Sequence, residues 1–281
     1  MDVSKKKVLE QTALRIRKAV IEGTYHAKSG HPGGSLSIAD VLAYLYFCEM
    51  NVDAAHPDNP NRDRFVLSKG HCAPALYGAL ALKGFFDESE IQSLRHIGAM
   101  LQGHPCMTST PGVDMSTGSL GQGVSAAVGM ALAAKFDGKD YRTYAILGDG
   151  EIEEGQVWEA AMFAAHKKLD NLCIVVDNNN LQIDGSLEEV NSPYPIPEKF
   201  EAFGWNVIVI DAHDFDQIEE AFTAARACTG KPTAIIQKSV KGKGVSFMEN
   251  QANWHGSAPN AEQYEQAMNE LNSALSAMKE G

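Results

Sequence analysis

Two short segments constrain this chain most: Gly148-Asp149-Gly150 and Asn178-Asn179, separated by the 27 residues 151–177. The run Tyr144-Ala145-Ile146-Leu147 is apolar, short and followed by glycine, so it reads as a buried strand. Residues 152–168 read as helix, and Asn171-Leu172-Cys173-Ile174-Val175-Val176 as the next strand. A parallel strand pair needs a crossover of about a dozen residues or more, usually a helix, and this interval supplies one. Asp149 and Asn179 then fall at the carboxyl ends of neighbouring parallel strands, where open α/β sheets bind ligands.

The residue types suggest which ligand. Asp149 offers a charged oxygen and Asn179 a neutral one, which suits a hard cation such as Mg²⁺ held by few protein groups and by substrate phosphates. Gly148 and Gly150 keep the backbone bare for a close approach. A helix starting near Ile152 turns its positive end toward an anion. Each segment alone is ordinary turn chemistry; in this arrangement they point to a magnesium-diphosphate site.

Along the rest of the chain, helices are expected at 6–28, 38–48, 73–83 and 121–136, with 53–69 loop-rich. The core continues as helix 197–203, strand 206–210, helix 214–228 with Asp211 and Asp214 as capping candidates, strand 233–238, and a last helix at 260–278 that either docks on the domain or leads toward a partner. Strands alternating with helices imply βαβ units and a parallel sheet. The fold class is therefore α/β, in one domain spanning 1–281.

A net charge of −12 argues against nucleic acid or an anionic membrane as partner, and no apolar run reaches the ~18 residues of a membrane span. Five cysteines without Cys-x-x-Cys spacing, and an N-terminus without the apolar stretch of a signal peptide, lead us to expect reduced thiols in the cytoplasm. Among the nine histidines, His31, His71, His104 and His255 adjoin Gly or Pro in loop-like contexts, where catalytic groups concentrate. His26, His56, His96, His166 and His213 read as packed or solvated. Lys241-Gly242-Lys243-Gly244 reads either as a basic loop facing phosphates or as a solvated turn.

The chain resembles the thiamine diphosphate enzymes, and most closely the N-terminal half of transketolases, from about Ile16 to Pro259. The motifs that carry the resemblance are Ser29-Gly30-His31-Pro32-Gly33, Ser68-Lys69-Gly70-His71, Gly103-His104-Pro105, Thr117-Gly118-Ser119-Leu120-Gly121-Gln122-Gly123, Gly148-Asp149-Gly150, Asn178-Asn179 with Ile183-Asp184-Gly185, and His255-Gly256. The resemblance implies a thiamine-diphosphate-binding fold, a parallel sheet with helices on both faces. It also implies Mg²⁺, or Ca²⁺ or Mn²⁺ in its place, on Asp149, Asn179 and the Leu181 carbonyl. His71, Gly118, Leu120, Gly148, Asp149, Gly150, Asn179, Ile183 and His255 would bind the cofactor. His31, His104 and His255 would line the sugar channel, and Glu154 would link across a subunit interface. Plain alternatives stand beside several of these roles: helix entry for 118–123, core packing for Ile183, and dipole stabilisation for Glu154.

Gly34-Ser35, Ser119 and Ala212 depart from the usual family pattern and leave the substrate open. In transketolases the acid that activates the cofactor comes from a following pyrimidine-binding domain, which is not found in this sequence. The resemblance thus implies the diphosphate-binding subunit of a split transketolase. It would work with a C-terminal subunit, in a two-plus-two heterotetramer, on sugar or sugar-phosphate substrates. The alternatives are a 1-deoxyxylulose-5-phosphate synthase, a non-catalytic cofactor-binding regulatory partner and a 2-oxo acid dehydrogenase subunit. A Rossmann nucleotide binder lacks its Gly-x-Gly-x-x-Gly here.

Overall fold

The computed structural model describes residues 1–280. In chain order the elements are α1 (Val3–Ala27), α2 (Pro32–Leu36), α3 (Ala39–Tyr44), β1 (Arg64–Leu67), α4 (Ala73–Lys83), α5 (Gln122–Phe136), β2 (Thr143–Gly148), α6 (Gly155–His166), β3 (Leu172–Asn178), the hairpin β4 (Leu181–Gln182) and β5 (Gly185–Ser186), α7 (Leu187–Val190), α8 (Ile196–Ala202), β6 (Asn206–Asp211), α9 (Phe215–Ala227), β7 (Thr233–Lys238) and α10 (Ala261–Glu280). The main sheet has five strands in the order β1-β2-β3-β7-β6, every neighbouring pair parallel.

The pleat sends alternate residues to opposite faces, and each face is covered by helices. Tyr144, Ile146, Cys173, Val175 and Ile235 join a core with residues of α1, α3, α4, α9 and α10. Ala145, Leu147, Ile174, Val176, Ala234 and Ile236 join a second core with α5, α6 and α8. Near-continuous apolar strands follow from burial on both faces, and the expected α/β architecture holds.

Local expectations differ at several points. Residues 53–69, expected to be loop-rich with no strand assigned, contain β1, whose four residues follow Arg62 and Asp63 and are too few to show a period. The helix expected at 38–48 is α3 followed by a π-helical turn, Leu45–Glu49. The helix expected from Ile152 begins at Gly155, because Glu151–Glu153 form a 3₁₀ turn first. Asp214 caps α9 by accepting from the backbone N–H groups of Asp216 and Gln217, whereas Asp211 accepts from His213 in the preceding turn. The last helix docks on the domain: Tyr264 stacks on Tyr25 of α1 with ring centroids 4.1 Å apart, and Ala267 and Leu271 are buried.

Strand register brings the carboxyl ends together. Gly148 lies opposite Asp177, and Asn178 opposite Lys238. Asp177 and Lys69 form an ion pair at these ends, both essentially without solvent exposure. Every oxygen of Asp177 is used: Oδ2 accepts from Lys69, Ser37 and Asn179, and Oδ1 from Gln237 and Ser239. Burial opposes the charge on Asp177, but the ammonium and hydroxyl donors outweigh it and hold the carboxyl down at about 2. The stability this group contributes is full above the ordinary carboxylate range and is lost as pH falls toward 2.

Removing one partner strands the other charge in the interior, so Asp177→Ala should destabilise the fold by about 3–5 kcal/mol. Breaking the exposed Arg15–Glu88 pair with Glu88→Ala should cost less than about 1 kcal/mol. Urea titration of the two variants checks the contrast; equal losses would refute it.

Candidate active site

The loops that leave β1, β2, β3 and β7 enclose a cavity of about 550 Å³. Gly148 ends β2, and Asp149 and Gly150 follow it; after β3 come Asn179, Leu181 and Ile183; after β1, Lys69 and His71; after β7, Lys241 and His255. His31, Gly118, Leu120 and Glu154 complete the part of the lining foreseen from sequence. His104 stands behind it: its ring lies 6.4 Å from that of His31, and a Cβ on Gly118 would come within 2.9 Å of it.

Asp149 is buried, and its carboxylate accepts from the Gly150 and Asn180 N–H groups and the Asn178 amide. Burial, then the neighbouring Asp177, raises its pKa to about 6. A buried carboxylate held this high is short of positive charge, which a cation supplies. The Asn179 amide is oriented by its donation to Asp177, and its Oδ1 accepts from the Leu181 N–H at 3.1 Å. Among the described residues no three or more His, Cys, Asp or Glu side chains form a metal-holding cluster. The cavity is lined by one carboxylate, Asp149, one amide, Asn179, and Leu181, whose carbonyl accepts from Lys241; oxygen groups of these kinds are what Mg²⁺ takes together with phosphate and water.

The glycines sharpen this reading. A Cβ on Gly148 would find its nearest atom at 3.7 Å, and on Gly150 at 3.4 Å. Neither has the positive φ that favours glycine. Packing and backbone conformation therefore do not require glycine at either position; the bare backbone serves the cavity. Gly118 is different, with φ +150° and His104 against it.

The imidazoles are held neutral. His31 and His71 rings are 5.2 Å apart, His31 and His255 5.5 Å, and His71 and His255 5.0 Å. Burial, then Arg95 and His104, lowers His31 to about 4; burial, then Lys241 and His31, lowers His255 to about 3. His71 falls well below its ordinary value through burial and Lys69, and His104 is lowered by burial and Arg95. The buried Nδ1 of His31 has no hydrogen-bond partner among the described residues, a polar atom left for a ligand.

The Lys-Gly-Lys-Gly loop divides its lysines. Lys243 stays outside near Glu249, while Lys241 is 2% exposed and lines the cavity. Its ammonium donates to the Leu181 carbonyl and to His255 Nδ1, each at 3.0 Å. Burial lowers its pKa to about 8. Glu154 occupies the backbone cap position of α6, yet its side chain makes no capping bond and lines the cavity instead. Ile183 is 66% exposed at the lip, which excludes core packing. The histidines read as bland, His26, His56, His96, His166 and His213, do not line the cavity.

Sequence reasoning missed Asp177, Glu151 and Lys69 as individual residues. Buried Glu151 accepts from the Ser68 hydroxyl and the Gly121 and Gly148 N–H groups, tying three loops together. Lys69 lies inside a quoted motif, and Asp177 ends an apolar strand just before Asn-Asn, which is a readable signal.

Comparison with known proteins agrees with this geometry. The family model described as "Transketolase, thiamine diphosphate binding domain" matches residues 8–275. The chain is 49% identical to a 6-deoxy-6-sulfo-D-fructose transketolase subunit of Clostridium sp. (strain MSTE9), over 94% of this chain and 96% of that protein. It is 44% identical to an apulose-4-phosphate transketolase subunit of Phocaeicola vulgatus, over 96% of each. The crystal structure of the Campylobacter jejuni transketolase superposes with a TM-score of 0.90 at 33% identity, covering 97% of this chain but only 43% of that one. The chain thus belongs to the transketolase family, as an enzyme subunit built on the family's thiamine diphosphate-binding domain.

Proposed function

We propose that this protein is the diphosphate-binding subunit of a split, Mg²⁺-dependent transketolase that moves a two-carbon ketol unit from a ketose to an aldose. The observation that carries the reading is the convergence of Asp149, Asn179, Leu181, Lys241 and three histidines, His31, His71 and His255, on one cavity at the carboxyl edge of the sheet, with His104 behind His31. Asp149, Asn179 and the Leu181 carbonyl would hold the metal. His71, the backbone at Gly148 and Gly150, and the Lys241 ammonium would take the diphosphate. Gly118, Leu120 and Ile183 would flank the cofactor's rings. When bound, thiamine diphosphate supplies the nucleophilic carbon and the electron sink for C–C cleavage. The neutral His31, His104 and His255 would hydrogen-bond the sugar hydroxyls.

The partner completes the site. Two relatives of matching length are named as transketolase subunits. We assign the activating acid to a pyrimidine-binding subunit that meets Glu154 at the cavity mouth, in a two-plus-two assembly. Met162 and Phe163 on the exposed side of α6, the helix that Glu154 begins, offer it an apolar surface. The relatives' names specify a 6-sulfo ketose and a ketose 4-phosphate, so a donor with an anion remote from the cleaved bond fits this chain. Five free thiols suit a reducing, cytoplasmic setting.

Donor cleavage of xylulose 5-phosphate, 6-deoxy-6-sulfofructose or apulose 4-phosphate, with Mg²⁺ and thiamine diphosphate, should appear only when the pyrimidine-binding subunit is added. Full turnover by this chain alone would refute the division of labour. Cofactor binding without cleavage of any ketose, but with a 2-oxo acid, would favour the dehydrogenase alternative.

Because Asp149 gains a proton below about pH 6, and the protonated acid is a poor metal ligand, Mg²⁺-dependent cofactor affinity should fall as pH drops through that value. Asp149→Asn should weaken the affinity at pH 7.5 by about 10-fold or more and flatten the dependence. Calorimetric titration from pH 5 to 8 measures both; an unchanged affinity in the variant would remove Asp149 from the metal site.

A further inference from the structure

His213 lies at the end of β6, outside the cavity, yet it is joined to the cavity by a short chain of bonds. Arg17 on α1 forms a buried ion pair with Asp40 on α3, through both guanidinium ends. Asp40 Oδ2 lies 2.7 Å from His213 Nδ1. Burial works against the Asp40 charge, but Arg17 and His213 outweigh it and hold the carboxyl down at about 2. A carboxylate only accepts, so Nδ1 carries the proton. The other nitrogen, Nε2, is then a free acceptor, and the backbone N–H of Val240 donates to it at 3.0 Å. Both neighbours of the ring independently require the same tautomer.

The residue after Val240 is Lys241, the buried ammonium of the site. Its backbone is fixed from the other side: the Asn250 N–H donates to the Lys241 carbonyl and the Gly242 N–H to the Gly33 carbonyl, each at 2.9 Å. Gly242 has φ +80°, and a Cβ there would meet the Met248 carbonyl at 2.2 Å, so the loop has one path at this point. Val240 is the remaining tether, and its acceptor is a side chain delivered from another strand.

We infer that His213 is a positioning residue for the site: its tautomer, set by Arg17 and Asp40, presents Nε2 to the Val240 N–H and so places Lys241 for an anionic ligand. The inference rests on the reading of the cavity as a diphosphate site.

Two near-isosteric substitutions separate this role from simple packing. In His213→Gln the side-chain oxygen reaches the position of Nε2 and still accepts from Val240. In His213→Asn the amide reaches the position of Nδ1 and keeps only the Asp40 bond. Binding of inorganic diphosphate and of thiamine diphosphate with Mg²⁺, measured by calorimetry on the full chain, should weaken about 10-fold in His213→Asn and stay near the parent in His213→Gln. Equal weakening in both, or a stronger loss in Gln, would overturn the inference. A measurement without substitution guards against a variant that does not fold: ¹⁵N NMR should find the His213 proton on Nδ1, and hydrogen exchange should find the Val240 amide protected. A proton on Nε2, or a freely exchanging Val240 amide, would overturn it even if the ligand binds. Absence of diphosphate binding by the parent, with tautomer and protection as expected, would instead refute the reading of the cavity.

Discussion

The buried pair of Lys69 and Asp177 is the constraint on which the site depends. An ion pair taken out of water returns little net stability, because desolvation of both charges offsets their attraction. What it supplies is geometry. Lys69 also donates to the Gly34 carbonyl, which ties α2 to the sheet. Asp177 accepts from Ser37 next to α2, from Asn179 beyond β3 and from Ser239 beyond β7. One carboxylate therefore sets the relative position of three segments that carry cavity residues, and it orients the Asn179 amide directly. With every lone-pair direction used, other packings of these loops leave a charge or donor unpaired, which is costly in a low-dielectric interior.

The same arrangement explains the electrostatics of the cavity. Asp177 keeps its charge because Lys69 neutralises it; Asp149, without a cationic partner as close, is left with a raised pKa. Lys241 is buried and lowered, and the imidazoles around it are pushed to the neutral side. A site with an under-stabilised carboxylate and an under-stabilised ammonium is poised for a cation and an anion together. The metal-diphosphate ligand proposed for this site would answer both needs.

A more exposed tier of residues rims the cavity. Ile183 and Gln182 sit on the small hairpin β4–β5, at the cavity lip, with Asn191 beyond α7. Ile183 and Asn191 are exposed and Gln182 half-buried, whereas Asp149, Asp177 and Asn179 below them are buried. In the function proposed above, substrate and partner discrimination would fall to this exposed tier and the metal and diphosphate to the buried floor.

The sequence alone determined the parts governed by local chemistry and period. Apolar runs at 144–147, 171–176 and 233–238 are strands because buried parallel strands have no polar face, and the interval between Asp149 and Asn179 forces a crossover. The motif residues foreseen for cofactor and metal meet at one cavity, because each lies just after a strand or at a glycine turn. Tertiary structure alone decided the rest. β1 is a strand only because β2 pairs with it. Lys241 and Lys243 are two residues apart with the same chemistry, and only the packing of their loop buries one and solvates the other. Asp177 and His213 act through partners distant in sequence, Lys69 and Asp40, and no periodicity reports such a meeting. Local pattern encodes which face a residue takes, whereas the identity of its neighbour across the fold is set by how the elements pack.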